Sequence, residues 1–200
     1  MGSDIDETQL PDEPPDEYVL RLAEAKARAL VDSARGEGII IGSDTTVADG
    51  GSILGKPASM AEATDMLKQL RGHTHQVYTG VAALRLSDTR LVKDLCVTDV
   101  PMRSYSDEEI EGYVQTGDPL DKAGAYAIQH PQFQPVESMV GCYASVMGLP
   151  MCHLVRLLRQ FDILPLSDVP ARCQELLDYP CPVYPAILSG GQAGWYKGEE

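Results

Sequence analysis

Asparagine is absent from the 200 residues, basic residues are few, and long apolar runs are missing. No run approaches the roughly 20 residues that a membrane-spanning helix needs, and the acidic start at residues 1–7 lacks the apolar segment of a signal peptide. Because 16 Lys and Arg face 30 Asp and Glu, the net charge is −14, which disfavours nonspecific binding to nucleic acid or to an anionic membrane. We therefore expect a cytoplasmic protein with neither partner. Small phosphorylated substrates remain compatible with this net charge if a metal ion or a few lysines supply positive charge locally.

The common motifs of reactive sites are also missing. The five cysteines are odd in number and none forms C-x-x-C, so we expect reduced thiols without a disulfide framework or a zinc site. The four histidines form no H-x-x-x-H pair, and no G-x-S-x-G elbow for a nucleophilic serine occurs. The remaining candidates are scattered Asp, Glu and Lys residues, which suit metal-assisted attack of water on a phosphate.

Helix and strand patterns alternate along the chain, which predicts an α/β domain. A strand is expected at 38–42, a hairpin turn at 49–51, and two longer strands at 76–86 and 91–100. The helix signals are Asp16 before an apolar face, capping boxes that start at Ser59 and Ser106, and Pro150 before an apolar stripe. We predict a domain over residues 1–164, followed by a proline-rich appendage at 165–200 that is loosely ordered at its tip.

Three charged residues stand out by their positions. Asp44 lies just past the end of the short apolar strand, where carboxylates often function because strand ends open onto the crevice of α/β folds; the alternative is an aspartate that caps a turn. Glu7 belongs to an acidic run, which is usually a solvated face. Lys26 falls on the apolar face of the first helix, so it either extends to water or serves a site that needs a cation.

Lys56 ends a stretch, residues 50–56, that fits the G-x-x-x-x-G-K pattern of a phosphate-binding P-loop. The next residue is Pro57, where a P-loop needs the Ser or Thr hydroxyl that holds magnesium. The stretch also follows a hairpin turn, not a buried strand. We reject the P-loop, and Lys56 remains either a phosphate contact or an ordinary exposed lysine.

Several consecutive segments resemble the signature motifs of the Maf family, over about residues 3 to 161. These segments are residues 3–7 (SDIDE), 23–27 (AEAKA), 43–47 (SDTTV), 53–57 (ILGKP), 72–81 (GHTHQVYTGV), 121–129 (DKAGAYAIQ) and 148–150 (GLP). The number and order of the motifs make the resemblance specific.

The resemblance implies a nucleoside-triphosphate pyrophosphatase that yields a monophosphate and pyrophosphate with a divalent cation, Mg or Mn. It implies an α/β fold of the Maf or inosine-triphosphatase type, with a twisted mixed sheet, flanking helices and a long cleft, often in a homodimer. The family's catalytic carboxylate falls on Asp44, its other polar site residues on Glu7, Lys26 and Lys56, and its metal ligands on Asp44 and Glu7. Thr45 and Gln129 match positions that accompany thymine and uracil, which favours dTTP and UTP.

One departure from the family concerns the start. Family members begin with a strand and a Ser-Pro-Arg-rich loop that binds phosphate, whereas this chain starts at Met1-Gly2-Ser3; we expect that strand and loop to be missing. This feature favours an alternative, a catalytically impaired nucleotide-binding or septum-regulating Maf-like protein. A third reading, a house-cleaning enzyme for inosine triphosphate, does not explain Thr45 and Gln129.

Overall fold

A four-stranded antiparallel sheet with helices on both faces forms the centre of the computed structural model, which describes residues 5–190. The strand order is β2-β1-β3-β4. The helices are α1 (Pro15–Arg28), α2 (Met60–Leu70), α3 (Asp107–Gln115), α4 (Tyr143–Val146), α5 (Met151–Arg159), α6 (Val169–Leu177) and α7 (Tyr184–Leu188). The strands are β1 (Ile39–Asp49), β2 (Ser52–Leu54), β3 (Thr74–Arg85) and β4 (Leu91–Pro101), and two short 3-10 helices lie at Asp118–Asp121 and Ala123–Ala125.

The expected α/β class with flanking helices is confirmed. Within the described residues all three strand pairs are antiparallel, where a mixed sheet was expected. Two of these pairs are hairpins, β1–β2 and β3–β4, and a short connection can only join strands that run in opposite directions. The β1–β2 turn uses Gly50 and Gly51, both with positive φ, as the sequence predicted.

The local start signals of two helices are confirmed. Ser106 and Glu109 form the predicted reciprocal capping box. At α2 the Ser59 hydroxyl accepts from the Glu62 amide at 3.2 Å, but the Glu62 carboxylate accepts from the Ala58 amide, so only half of the predicted box forms. The first helix begins at Pro15, so Asp16 lies in its first turn and does not cap it.

Strand β1 is much longer than its apolar sequence indicated. The prediction that the strand ends before Asp44 is wrong, because pairing with β3 runs continuously from Ile39 to Ala48. Asp44 therefore lies in the middle of the strand, directly opposite Gly80. Side chains alternate along a strand, so Asp44 faces one side of the sheet and Thr45 the other.

Helix α1 packs against the sheet through two glycines. A Cβ atom on Gly42 would lie 2.1 Å from the carbonyl oxygen of Ala23, and one on Gly80 would lie 2.5 Å from that of Val19. Neither distance is compatible with a side chain, so the backbones of α1, β1 and β3 approach as closely as glycine allows. This approach sets how far the side chains of α1 reach over the sheet.

The opposite face of the sheet carries the larger apolar core. Val47, Val77 and Val100 on the strands pack with α2, α3 and the segment around the second 3-10 helix. Farther along the same face, Val81 and Ala83 contact Leu157 of α5. The sheet thus separates α1 on one side from α2 to α5 on the other.

Residues after 164 contain helices α6 and α7. Ile187 of α7 is fully buried, and the Tyr179 hydroxyl donates to the carbonyl oxygen of Gly141 at 3.0 Å. The assignment of 165–200 as a separate appendage stays a prediction, and its tip, 191–200, lies outside the described residues. No helix within 5–190 has the length and apolar character needed to cross a membrane.

We expect Gly80→Ala to lower the free energy of unfolding by about 1–3 kcal/mol, because the added methyl meets backbone atoms of α1 that no rotamer change can move. Gly112→Ala is the matched control: Gly112 is exposed in α3 with open space around its Cα, so alanine should raise stability by about 0.5–1 kcal/mol. Urea unfolding measures both variants. Equal effects of the two substitutions would contradict the close approach of α1.

Candidate functional site

A cluster of one lysine and two carboxylates lies between α1, β1 and the segment that precedes α1. The Lys26 Nζ atom lies 2.5 Å from Asp44 Oδ1 and 2.8 Å from Glu7 Oε1. The Asp44 side chain is only 8% exposed, whereas that of Glu7 is 41% exposed. The sequence predicted these three residues separately, and the first and last are 37 positions apart. The structure brings all three together.

Glu7 is held near Lys26 by contacts that no motif indicated. The Tyr18 hydroxyl donates to the Glu7 carbonyl oxygen at 2.9 Å. The buried Glu13 carboxylate accepts two hydrogen bonds from the Arg21 guanidinium, at 2.6 and 2.8 Å, and one from the Leu10 amide. This bidentate pair is strong, and it ties the segment before α1 to the surface of that helix.

The pKa values of the cluster follow from burial and charge. Burial raises the pKa of Asp44 above its ordinary value, and the Lys26 ammonium and the Lys56 charge only partly oppose this. Burial by itself lowers the pKa of Lys26, but its hydrogen bonds to Asp44 and Glu7 outweigh burial and the pKa is raised. The hydrogen bond from Lys26 lowers the pKa of Glu7. Lys26 therefore stays charged, and Asp44 is the carboxylate closest to accepting a proton.

A cavity of about 250 Å³ lies on the opposite face of β1. Thr45, Lys56 and Gln129 all line it, with Tyr126 and Gly148 on its walls. The three predicted site residues outside the Asp44 cluster thus share one cavity large enough for part of a small ligand. Its rim carries Lys56 and its walls are largely apolar.

The cluster and the cavity lie on opposite faces of β1, and they meet at the open edge of that strand. Strand β2 pairs only with Val47–Asp49, so within residues 5–190 the edge of β1 beside Asp44 and Thr45 has no strand partner. Lys56 follows β2 at this edge: it lines the cavity, and its charge also contributes to lowering the pKa of Glu7, after the larger effect of Lys26. A ligand in the cavity can therefore extend over the edge toward Asp44.

A buried hydroxyl, Thr79, supports the floor of the cavity. Its hydroxyl lies 2.9 Å from the Thr45 hydroxyl and donates to the Ser145 carbonyl oxygen at 2.8 Å. Sequence reasoning missed Thr79 and Ser145, although Thr79 falls within the motif at residues 72–81. The signal available was the position of Thr79 directly opposite Thr45 in the β1–β3 register, which is a property of the sheet.

The residues present fit a divalent cation of the magnesium type. Asp44 and Glu7 offer carboxylate oxygens, and with one lysine between them the cluster keeps net negative charge. No group of three or more His, Cys, Asp or Glu within 5–190 could hold a metal by itself. The two carboxylates suit Mg²⁺, which takes one or two carboxylates and completes its shell with water and substrate phosphates.

Two histidines that the sequence assigned no role are structural. His153, buried in α5, lies 3.2 Å from Asp94, which also pairs with Arg156. His75 contacts the Tyr126 hydroxyl at 2.8 Å, and burial lowers its pKa to about 4. Both lie in the core and neither touches the Asp44 cluster.

Comparison with known proteins identifies related sequences. The family described as Maf-like protein matches residues 1–161. A dTTP/UTP pyrophosphatase of Escherichia coli O157:H7 is 45% identical over 161 residues, which cover 80% of this chain and 80% of that protein. A dTTP/UTP pyrophosphatase of Hahella chejuensis is 43% identical over 170 residues, covering 84% and 83%, and one of Dehalococcoides mccartyi is 41% identical over 151 residues, covering 76% and 67%.

We expect Lys26→Met to lower stability by an amount that grows as pH rises. Without the ammonium, burial raises the pKa of Asp44 further, and the lowered pKa of Glu7 returns toward its ordinary value. A carboxyl group whose pKa is raised in the folded state lowers stability as pH rises through that pKa. A carboxyl group whose pKa is lowered in the folded state adds stability at pH values above its pKa in the unfolded chain. Both effects increase the difference in the free energy of unfolding between the wild type and the variant above about pH 4. The difference should approach about 1–3 kcal/mol, the cost of a buried acceptor that loses its donor.

Urea unfolding of the wild type and Lys26→Met from pH 4 to pH 8 measures this gap. Lys68→Met is the matched control, because Lys68 lies on α2 and its Nζ is 3.9 Å from an exposed Asp107 carboxylate. A gap that is the same at every pH would show that Lys26 contributes packing and not charge.

Proposed function

The chain belongs to the Maf-like protein family, and on that premise we propose that it hydrolyses nucleoside triphosphates, with dTTP and UTP preferred, to the monophosphate and pyrophosphate. The observation that carries this proposal is the meeting of Glu7, Lys26 and Asp44 beside a cavity that contains Thr45 and Gln129. The relatives named dTTP/UTP pyrophosphatase support the same substrates. The cytoplasm as location and a homodimer remain predictions.

Asp44 is the residue to which we assign activation of water. Its carboxylate is largely buried, and burial raises its pKa, so it is a better proton acceptor than an exposed aspartate. Its position in the middle of a paired strand fixes its direction. In this proposal Asp44 orients a water molecule for in-line attack on the α-phosphorus, and pyrophosphate leaves.

Lys26 and Lys56 supply the positive charge that a triphosphate requires in a protein of net charge −14. Lys26 lies on the α1 side of the strand edge and Lys56 on the cavity side, so both can face phosphate oxygens that cross this edge. A divalent cation bound by Asp44 and Glu7, with Mg or Mn as the expected ion, would polarise phosphate oxygens and neutralise charge on the leaving group.

The cavity is where we place the base. Gln129 is exposed on the cavity wall, so its carboxamide is free to meet a ligand with both a donor and an acceptor. Thymine and uracil present an N–H beside carbonyl oxygens, which one amide can satisfy together. Adenine carries an amino group where these bases have a carbonyl, and would leave polar groups unpaired.

We expect Asp44→Asn to reduce pyrophosphate release by roughly 10²–10⁴-fold, because the amide keeps the size of the side chain and removes its ability to accept a proton. Asp49→Asn is the matched control on the same strand: Asp49 bonds Gln69 and His73 on the surface, away from the cluster. Pyrophosphate is measured with dTTP and magnesium, and circular dichroism checks folding.

A mutant Asp44→Asn with more than about a tenth of wild-type activity would remove Asp44 from the catalytic role. A folded wild type that binds nucleotide without releasing pyrophosphate would favour the catalytically impaired, septum-regulating alternative.

We expect Gln129→Glu to lower the ratio of kcat/KM for dTTP over ATP by roughly 5- to 150-fold, since a carboxylate cannot donate to a base carbonyl, and a polar group left unpaired beneath the bound base costs about 1–3 kcal/mol. Gln132→Glu serves as the control, because Gln132 lines a different cavity beside α3 and carries the same change of charge. Steady-state assays with the two nucleotides give the ratio. An unchanged ratio in Gln129→Glu would contradict the placement of the base.

A further inference from the structure

The segment that carries Glu7 has no regular secondary structure of its own. Residues 5–14 form neither helix nor strand, and residues 7–10 are all exposed. The hydrogen-bond ladder of a helix or sheet therefore does not fix the backbone at Glu7. The Glu7 carboxylate nevertheless meets Lys26 at 2.8 Å, so side chains from elsewhere have to hold this part of the chain.

Two side chains of α1 hold consecutive carbonyl groups of the segment. The Tyr18 hydroxyl donates to the Glu7 carbonyl oxygen at 2.9 Å, and Arg21 Nη2 donates to the Thr8 carbonyl oxygen at 3.1 Å. Tyr18 and Arg21 are three residues apart in a helix and thus neighbours on its surface, and the Arg21 guanidinium lies 5.6 Å from the centre of the Tyr18 ring. The peptide between Glu7 and Thr8 is therefore fixed to the helix that also carries Lys26.

The direction of Arg21 is in turn set by Glu13. Arg21 Nε donates to Glu13 Oε1 at 2.6 Å and Arg21 Nη2 to Glu13 Oε2 at 2.8 Å. The Nη2 atom has two hydrogens, one for Glu13 and one for the Thr8 carbonyl. The Glu13 side chain is only 6% exposed. A buried ion pair of this kind contributes little net stability, but its two parallel bonds fix the orientation of the guanidinium.

We propose that Arg21 and Glu13 are positioning residues that hold the Glu7 carboxylate where it binds the divalent cation, and that they act through the backbone of residues 7 and 8. The inference rests on the proposed function, in which Asp44 and Glu7 hold this cation. It goes further in that it makes the affinity for the cation depend on a pair that supplies no ligand.

Positioning and simple electrostatics predict opposite signs for the loss of Arg21. Like charges repel, so removal of a positive side chain near a cation site would strengthen the binding of a divalent cation if charge alone mattered. Loss of the hold on Glu7 weakens binding instead, because one of the two carboxylates is then no longer kept in place. Removal of a group that orients a metal ligand typically costs about 10- to 100-fold in metal affinity.

Binding of Mn²⁺ to the full chain, measured by electron paramagnetic resonance of the free ion, tests the sign. We expect Arg21→Met to raise the dissociation constant by about 10- to 100-fold. Arg21→Lys should also bind more weakly than the wild type, because lysine keeps the charge and lacks the fork that bonds Glu13 and Thr8 together. Arg28→Met is the matched control on α1 and should leave binding unchanged, since Arg28 pairs with Glu24 and is 53% exposed.

A double-mutant cycle separates positioning from a general structural role. Glu7→Gln removes the ligand itself, so adding Arg21→Met to that variant should cause no further loss of Mn²⁺ affinity. An independent structural effect of Arg21 would multiply the two losses. In dTTP hydrolysis, Arg21→Met should raise the Mn²⁺ concentration needed for half-maximal activity, while kcat at saturating Mn²⁺ returns near the wild-type value.

Unchanged or tighter Mn²⁺ binding in Arg21→Met overturns the inference, as does a wild type that binds no Mn²⁺ or a full further loss in the Glu7→Gln background. If Arg21→Met does not fold because Glu13 is left unpaired, Tyr18→Phe removes one hydrogen bond to the Glu7 carbonyl and keeps the ring. We expect it to weaken Mn²⁺ binding by roughly 2- to 12-fold, and unchanged binding in that variant overturns the inference.

Hydrolysis is scored separately, by pyrophosphate release from dTTP. A chain whose Mn²⁺ affinity depends on Arg21 but that releases no pyrophosphate contradicts the proposed function and supports the inference. A chain that releases pyrophosphate with the same Mn²⁺ requirement in the wild type and in Arg21→Met supports the proposed function and overturns the inference.

Discussion

The close approach of α1 to the sheet is the constraint on which the candidate site depends. Gly42 and Gly80 remove the side chains that would otherwise keep the helix at a distance, and backbone atoms of α1 occupy the space of the missing Cβ atoms. At this separation the Lys26 ammonium reaches Asp44 on β1. Asp44 is largely buried, and a buried carboxylate without a cation is among the costlier defects in a protein interior.

The same ion cluster determines the charge that an anionic substrate would meet in this acidic protein. Lys26 is neutralised by two carboxylates, so the site carries net negative charge until a cation enters it. Glu7 is the more exposed partner, and it is held by the Tyr18 hydroxyl and by the Glu13–Arg21 pair behind it. The electrostatics of the site therefore depend on the short segment before α1 as much as on the sheet, because that segment supplies one of its two carboxylates.

Strand β1 separates the charged cluster from the cavity. Alternation along the strand directs Asp44 to the charged cluster under α1 and Thr45 to the cavity on the other face. The edge of β1 that faces away from β3 has no strand partner beside these two residues within the described chain, and Lys56 lies at this edge. In the proposed function, phosphate chemistry and base recognition are thus adjacent in the chain but lie on opposite faces of the sheet, and the buried Thr79 hydroxyl contacts Thr45 on the second face.

The sequence by itself determined the features that depend on neighbouring residues: the caps at Ser59 and Ser106, the Gly50–Gly51 turn, and the ordered motifs that indicate the family. It also singled out Asp44 and Lys26 as candidates. Only the tertiary structure decided that Asp44 lies within a long strand, that Glu7 meets Lys26, and that the buried Thr79 hydroxyl contacts the hydroxyl of Thr45. The physical reason is that strand register, the approach of a helix and the contacts of buried side chains depend on atoms from segments far apart in the chain, and no local pattern contains that information.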